Sequence, residues 1–236
     1  PRHLGRAQAA LAPWWHVADA PPDVLLLRAT IAQSNHDFAA ARRDLDRVIA
    51  LRPDDVQAHL TRTVVATVTA DYAAARASCA AVAAHASSMV AAACAAPVEA
   101  VIGNLADAYR HLEATLARTR AADPAVRGWA LTALAELAIQ RGDDVAAEAH
   151  LRAALAIARG DVYARTLLAD LWLGSRRSAE VAQLLARDEA IDSHVVRLAI
   201  AEHRRGGSEA ARLAGVMRAR IAAAAARGDQ LHLREE

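Results

Sequence analysis

The chain reads HDFAAAR at residues 36–42 and ADYAAAR at residues 70–76, an offset of 34 residues. The likeness extends without gaps over two adjacent segments, residues 22–55 and residues 56–89. Self-similarity at a period of about 20–50 residues is the sequence signature of a repeat architecture, in which each copy packs against its neighbours. We therefore expect a chain built from stacked copies of one small motif.

Each copy divides into two helical patterns around a short turn. In the second half of the first copy, apolar residues recur at Phe38, Ala41 and Leu45, with the three- and four-residue spacings of an α-helix. Pro53 ends this helix, and the Asp54-Asp55 pair supplies a cap for the next one. The motif is therefore predicted to be a helix–turn–helix.

The same template finds four weaker copies further along the chain, with an inserted loop around residues 121–127 in which Pro124 acts as a helix breaker. The expected turn residues of the six copies are His36, Ala70, Gly103, Gly142, Arg176 and Gly206. Small residues are expected where the two helices of each copy cross, at Ala29, Thr63, Ala96, Ala135, Ala169 and Ala199 in the first helices and at Ala41, Ala75, Ala108, Ala147, Val181 and Ala211 in the second.

This pattern resembles the tetratricopeptide repeat (TPR), a 34-residue helix–turn–helix with small residues at the helix crossings. The residues that carry the resemblance are the Asp–aromatic–x–x–Ala turn and the closing Pro53. The resemblance implies an all-α fold, a right-handed α–α superhelix (a solenoid) of about six TPR-like helix–turn–helix units. We expect residues 1–21 to be part of a preceding repeat and residues 22–226 to form six repeats, which begin near residues 22, 56, 89, 128, 162 and 192. Residues 227–236 are expected to start a further, truncated helix.

The composition agrees with an all-α protein and excludes several other classes. Alanine supplies 65 of the 236 residues, and aromatic residues supply only 3%. β-Sandwiches and barrels are richer in aromatic and β-branched residues. No apolar run reaches the ~18–20 residues of a membrane-spanning helix, so no membrane-spanning segment is expected. The net charge of +1 gives no electrostatic footprint for nucleic acid, so no nucleic-acid partner is expected either.

The sequence carries no motif that indicates catalysis or metal binding. No Gly-rich phosphate loop, HExxH pattern or GxSxG elbow is present, and no two of the ten histidines form a metal-ligand pair at i,i+4 helical spacing. We therefore expect a protein that is not an enzyme and has no catalytic residues, no metal and no cofactor. The absence of Lys beside 28 Arg suggests a bacterial genome rich in G and C.

Cys79 and Cys94 are equally far from the predicted turn at residues 86–87. If that turn joins two antiparallel helices, the cysteines lie at the same height on facing helices, because each residue advances the helix by about 1.5 Å. The alanine-rich helices allow the close approach that a disulfide requires. Two interpretations stay open, a disulfide or two buried free thiols.

The resemblance also implies a binding surface, because the first helices of TPR units line the concave wall of the superhelix, where this family usually binds extended peptides or helices. Trp129 and Tyr163 are the expected anchors, while Glu136 and Asp170 add two acids suited to an Arg or Lys of the bound peptide. The alternative, that both rings pack between neighbouring units, stays open. The predicted surface consists of Leu26, Thr30, Leu60, Val64, Trp129, Thr132, Glu136, Tyr163, Thr166, Asp170, Val196, Ile200 and His203.

We therefore predict a non-catalytic scaffold, monomeric or weakly homo-oligomeric, whose partner is another protein or a peptide. Two alternatives remain: a substrate-recruiting or regulatory module of a larger enzyme such as a glycosyltransferase, and an exported repeat protein of a bacterial envelope assembly. The first residue is Pro1 and not Met, so we expect the true start to be missing. The compartment therefore stays open between cytoplasm and periplasm.

Overall fold

The computed structural model describes residues 2–119 and 122–226, and within these residues all regular secondary structure is helical. A short 3₁₀ turn, Ala12–Trp14, follows α1, and a π-helical turn, Ala100–Asn104, joins α6 to α7. The further helix expected over residues 227–236 lies outside the described residues. The helices are α1 (Arg2–Ala10), α2 (Pro22–Ser34), α3 (Phe38–Leu51), α4 (Val56–Val68), α5 (Tyr72–His85), α6 (Ser88–Glu99), α7 (Leu105–Arg118), α8 (Pro124–Gln140), α9 (Asp144–Ile157), α10 (Val162–Gly174), α11 (Ser178–Leu185), α12 (Asp192–Arg205) and α13 (Ala210–Ala226).

From α2 onward the helices pair into six hairpins, α2–α3 through α12–α13, and the two helices of each hairpin pack against each other. The chain divides into two compact units, an N-terminal unit (Pro1–Ala122) with the first three hairpins and a C-terminal unit (Asp123–Glu236) with the last three. Within each unit, successive hairpins are in contact.

The first helix of the fourth hairpin begins at Pro124, four residues before the expected start near residue 128. Proline suits the first position of a helix, where its missing N–H has no intrahelical partner to lose. Asp123 caps the helix by accepting hydrogen bonds from the backbone N–H groups of Ala125 and Val126. Pro124 therefore starts a helix here and does not act as a breaker.

Aspartates start helices throughout the chain. In each case the carboxylate accepts a hydrogen bond from the backbone N–H three residues later, at 2.9–3.1 Å, as an N-cap does. The capping residues are Asp37, Asp55, Asp71, Asp143 and Asp161. A cap of this kind stabilises a helix by about 1 kcal/mol, so these residues fix where five of the helices begin.

The turn inside each hairpin is made by one residue in the left-handed conformation. The six turn residues expected from the sequence are also the six described residues with positive φ, at 59° for His36, Ala70 and Arg176 and at 68–102° for Gly206, Gly142 and Gly103. In five of the hairpins, the N–H of the next residue donates to a carbonyl five positions earlier, which closes the end of the first helix, as in Asp37 to Ala32.

Small side chains fill the helix crossings. Ten of the twelve residues expected there are buried, including Ala41, Ala75 and Ala147, which are fully buried. The sixth hairpin departs from the pattern, since Ala199 is half-buried and Ala211 is exposed. Ala201 is fully buried in α12 instead.

No membrane-spanning segment is expected from the sequence. One stretch, Ser88–Arg118, is nonetheless long and apolar enough to cross a membrane by length and composition alone. It is weak evidence, because core helices of soluble proteins pass the same test. In the structure the stretch is the third hairpin, not one straight helix. Pro97 lies near the end of α6, the backbone turns at Gly103 with φ of 102°, and α7 packs back against α6.

A disulfide joins Cys79 of α5 to Cys94 of α6, and the two Cα atoms are 5.7 Å apart. The bond connects the second helix of the second hairpin to the first helix of the third. Thr63 of α4 packs against both sulfur atoms, with its hydroxyl oxygen 3.6 Å from each. These two cysteines therefore lie in the core of the N-terminal unit, on neighbouring helices.

Candidate protein-interaction surface

The C-terminal unit carries the larger part of the predicted surface, on its three first helices α8, α10 and α12. Trp129 is 39% exposed, Tyr163 is 54% exposed and Ile200 is 39% exposed. Asp170 and His203 are also exposed, and Glu136, Thr166 and Val196 are half-buried. The two aromatic rings are thus accessible to a partner.

A hydrogen bond ties α10 to α8, because the Tyr163 hydroxyl donates to the Glu136 carboxylate. Burial raises the pKa of Glu136 above its usual range, and the hydrogen bond from Tyr163 opposes this rise. Burial and the neighbouring carboxylate both raise the pKa of Tyr163, so its hydroxyl keeps its proton. Trp129 precedes Glu136 by seven residues on α8. The two residues are therefore two turns apart, about 10 Å along the helix axis.

A second link ties α12 to α10. The Arg197 guanidinium donates two hydrogen bonds to the Asp170 carboxylate, at 2.7 and 2.6 Å. The two acids predicted from the repeat register therefore already have partners within the chain. A peptide Arg or Lys that bound these acids would have to compete with Tyr163 or Arg197, and the expected role of Glu136 and Asp170 stays a prediction.

Thr132 does not line the surface. Its side chain is buried, and its hydroxyl donates to the carbonyl of Gly128 at 3.1 Å. The reason is that α8 is covered along its middle, where nearly every residue from Ala130 to Ala138 is buried. The repeat register alone could not reveal this, because it assumes that equivalent positions have equal exposure.

In the N-terminal unit, the predicted residues lie on α2 and α4. Val64 is 46% exposed and Thr30 is exposed, whereas Leu26 and Leu60 are half-buried. Leu27 and Val68 are more exposed than Val64, at 54% and 57%. This unit therefore presents aliphatic side chains, while the aromatic anchors are in the C-terminal unit.

Two polar clusters inside the C-terminal unit were not anticipated from the sequence. In the first, two guanidinium groups lie close to the buried indole of Trp172, with Arg152 and Arg177 at 5.3 and 5.0 Å from the ring centroid. Both arginines also donate to Glu148, Arg177 at 2.5 and 3.2 Å and Arg152 at 2.8 Å. The cluster connects α9, α10 and the start of α11.

In the second cluster, Asp188 holds two partners. Its carboxylate forms an ion pair with Arg165 of α10 and is joined by a 3.1 Å hydrogen bond to Nδ1 of His194 in α12. Nε2 of His194 is joined to the carbonyl of Val162 at 3.1 Å. The His194 side chain is fully buried, and those of Arg165 and Asp188 are each 17% exposed.

The cluster around Glu148 should make the free energy of unfolding depend on pH in the acid range. Hydrogen bonds from Arg177, and more weakly from Arg152, lower the pKa of Glu148 to about 2. Because the folded pKa lies below the unfolded one, the stabilisation is present above the usual carboxyl range and is lost as pH falls towards 2. We expect Glu148→Gln to lower the free energy of unfolding by about 1 kcal/mol at neutral pH, a modest value because both arginines are partly in solvent. Urea unfolding at a series of pH values should show the difference from the parent shrinking below about pH 5; a constant difference down to low pH would contradict this assignment.

Within the described part of the chain, no three His, Cys, Asp or Glu side chains are placed to hold a metal ion. No family model and no curated protein matches the sequence. Solved structures do match it. The TPR protein TTC0263 of Thermus thermophilus superposes with a TM-score of 0.56 at 18% identity, over 72% of this chain and 89% of that one.

The type IV pilus biogenesis factor PilW matches with a TM-score of 0.57 at 14% identity, over 90% of this chain and 96% of that one. A chain of the APC/C hetero-tetramer Cut9–Hcn1 matches with a TM-score of 0.59 at 13% identity, over 86% of this chain but only 40% of that one. At such low identities the likeness concerns the fold. The chain has the TPR solenoid fold, as the sequence predicted, while its bacterial origin stays a prediction.

Proposed function

We propose that this chain is a non-catalytic scaffold that binds an extended peptide or a helix of another protein on the first helices of its hairpins. The observation that carries the proposal is the exposure of Trp129 and Tyr163 on successive first helices of one unit. Exposed aromatic side chains supply large contact area at little entropic cost, and they dominate the energetics of protein interfaces. The aliphatic side chains of Val162 and Ile200, 41% and 39% exposed, extend the apolar part of this surface.

The charges on this surface define the occupant more closely than the repeat register did. Because the charge of Asp170 is balanced by Arg197 and Glu136 is half-buried and already accepts a hydrogen bond from Tyr163, the carboxylates contribute little to the choice of occupant. Apolar side chains on the partner would supply most of the binding energy, at about 25 cal/mol for each Å² of apolar surface removed from water. The partner is therefore a peptide or helix with apolar anchors.

The structural neighbours support a protein partner. One of them is a chain of Cut9–Hcn1, a hetero-tetramer and thus an assembly of two kinds of protein. The TPR fold is generally a protein-interaction module, and no catalytic motif in this sequence points elsewhere.

The test is a double substitution of the two anchors. The partner is first identified by pull-down with the parent chain, and its affinity is then measured by calorimetry. Trp129→Ala/Tyr163→Ala should weaken binding by at least about 2 kcal/mol, the scale of an interface hot spot, with little loss of helicity. Val145→Ala is the matched control, since Val145 is 83% exposed in the same unit but lies on α9, a second helix. If the double variant binds the partner as the parent does, the proposal is wrong.

A second candidate is an exported repeat protein of a bacterial envelope assembly. It is favoured by the disulfide between Cys79 and Cys94, because such bonds persist mainly in oxidising compartments. The match to PilW, a type IV pilus biogenesis factor, agrees with it. Fractionation of the source cells with an antibody should find the protein in the envelope or periplasm; a purely cytosolic protein would exclude this candidate.

A further inference from the structure

An open cavity of about 530 Å³ lies in the N-terminal unit, lined mainly by residues of α5 and α6 together with His111 of α7. Much of its lining is alanine, because Ala80 and Ala83 of α5 face Ala91, Ala92 and Ala95 of α6 across it. Small side chains leave space that longer ones would fill. A small molecule or an inserted loop therefore has room to enter between these two helices.

The cavity reaches one of the two bonded cysteines. Cys79 is among the residues that line it, whereas Cys94 is not. Both cysteines are otherwise well covered, at 6% and 4% exposure. A reagent in the cavity therefore meets Cys79 before it meets Cys94.

The surroundings of the sulfurs suit both the bonded and the reduced state. The Thr63 hydroxyl donates its proton to the carbonyl of His59 at 2.9 Å, so its oxygen keeps lone pairs that face both sulfur atoms at 3.6 Å. If the disulfide were reduced, each new S–H could donate to this oxygen without a change in packing. The reduced cysteines would thus not be left as unsatisfied buried donors.

We propose that Cys79–Cys94 is a site of thiol–disulfide exchange, attacked at Cys79 by a dithiol reductant that enters through the cavity. The thiolate of the reductant bonds to Sγ of Cys79, the Cys79–Cys94 bond breaks, and Cys94 leaves as a thiolate that takes a proton from water. The second thiol of the reductant then attacks the reductant's own sulfur, which releases Cys79 as a thiol. The protein gains two electrons and two protons, and the dithiol becomes a disulfide.

The exchange adds or removes a covalent connection between two successive hairpins. Cys79 belongs to the last helix of the second hairpin and Cys94 to the first helix of the third, 15 residues further along the chain. The site therefore makes the coupling between these hairpins dependent on redox conditions.

The presence of the Cys79–Cys94 disulfide is tested by titrating thiols in the unreduced, denatured protein. We expect no free thiol, and two free thiols would overturn the proposal at its first step. In the parent chain, reaction with excess glutathione followed by acid quenching and peptide mapping should place the mixed disulfide on Cys79. A mixed disulfide on Cys94 would contradict the direction of attack.

Two single-cysteine variants then compare the accessibility of the sulfurs. Cys94→Ser keeps Cys79, and Cys79→Ser keeps Cys94. With 5,5′-dithiobis(2-nitrobenzoate) under native conditions, the Cys79 thiol should react at least about tenfold faster than the Cys94 thiol, after each rate is divided by its rate in denaturant. Equal or reversed rates would overturn the proposal, and the mapping in the parent chain decides it if either variant does not fold.

The role of the cavity is tested with a matched pair on α5. Ala83 is exposed and lines the cavity one turn beyond Cys79, whereas Ala84 is exposed but is not part of the lining. Ala83→Phe should slow reduction of the disulfide by dithiothreitol by about fivefold or more, because reduction requires access to the sulfur. Ala84→Phe should leave the rate unchanged, and equal rates in the two variants would show that the reductant does not use the cavity.

Discussion

Replacing Asp188 by alanine should lower the free energy of unfolding by about 3 kcal/mol, since the change removes the shared partner of two largely buried groups. Arg165 would lose its ion pair, and Nδ1 of the fully buried His194 would lose its hydrogen-bond partner. An uncompensated charge in a place with little water is among the most destabilising defects in a folded protein. Chemical denaturation followed by circular dichroism measures the loss.

Asp170→Ala is the matched control for this prediction. Asp170 also binds an arginine from a neighbouring helix, with two short hydrogen bonds, but its side chain is 47% exposed. Water can replace the lost partner there, so the loss should stay below about 1 kcal/mol. Equal losses for the two variants would mean that the Asp188 cluster contributes no more than a surface ion pair.

The second large effect is expected at the helix crossings. Ala147 is fully buried in α9, and a leucine at this position would force two closely packed helices apart. Ala147→Leu should lower the free energy of unfolding by about 1–3 kcal/mol, and the same holds for Ala41→Leu and Ala75→Leu.

Ala149→Leu in the same helix supplies the comparison, because Ala149 is exposed. Its effect should stay within about 0.5 kcal/mol, as is usual for a surface position. If the three crossing variants unfold like the parent, then the positions inferred for the crossings are wrong.

Local features of the fold could be predicted from the sequence because their causes lie within a few residues. The turn positions at Ala70 and Gly142 and the cap at Asp55 follow from short motifs that the repeat places in register. The crossings at Ala41 and Ala147 follow in the same way. The start of α8 was misplaced, because Pro124 can either break a helix or begin one and only the cap by Asp123 decides between these roles.

The pairings between helices could not be predicted. Arg197 reaches Asp170 and Tyr163 reaches Glu136 across 27 residues of chain, and such partners depend on how neighbouring hairpins are placed. The buried Thr132 shows the same limit, since its exposure depends on what covers α8. A repeat register therefore indicates which helix face a residue occupies. It does not indicate which residues of neighbouring helices pack against that face.

The two links between the first helices of the C-terminal unit also affect how fast a partner arrives. Asp170 is paired with Arg197, and Glu136 is half-buried and bonded to the neutral Tyr163 hydroxyl, so this surface offers little unbalanced charge beyond that of Glu136 to attract a ligand from a distance. Without electrostatic steering, association rate constants are typically about 10⁵–10⁶ M⁻¹ s⁻¹ and depend little on ionic strength. Differences in affinity among ligands of this surface would then arise almost entirely from how long each complex lasts.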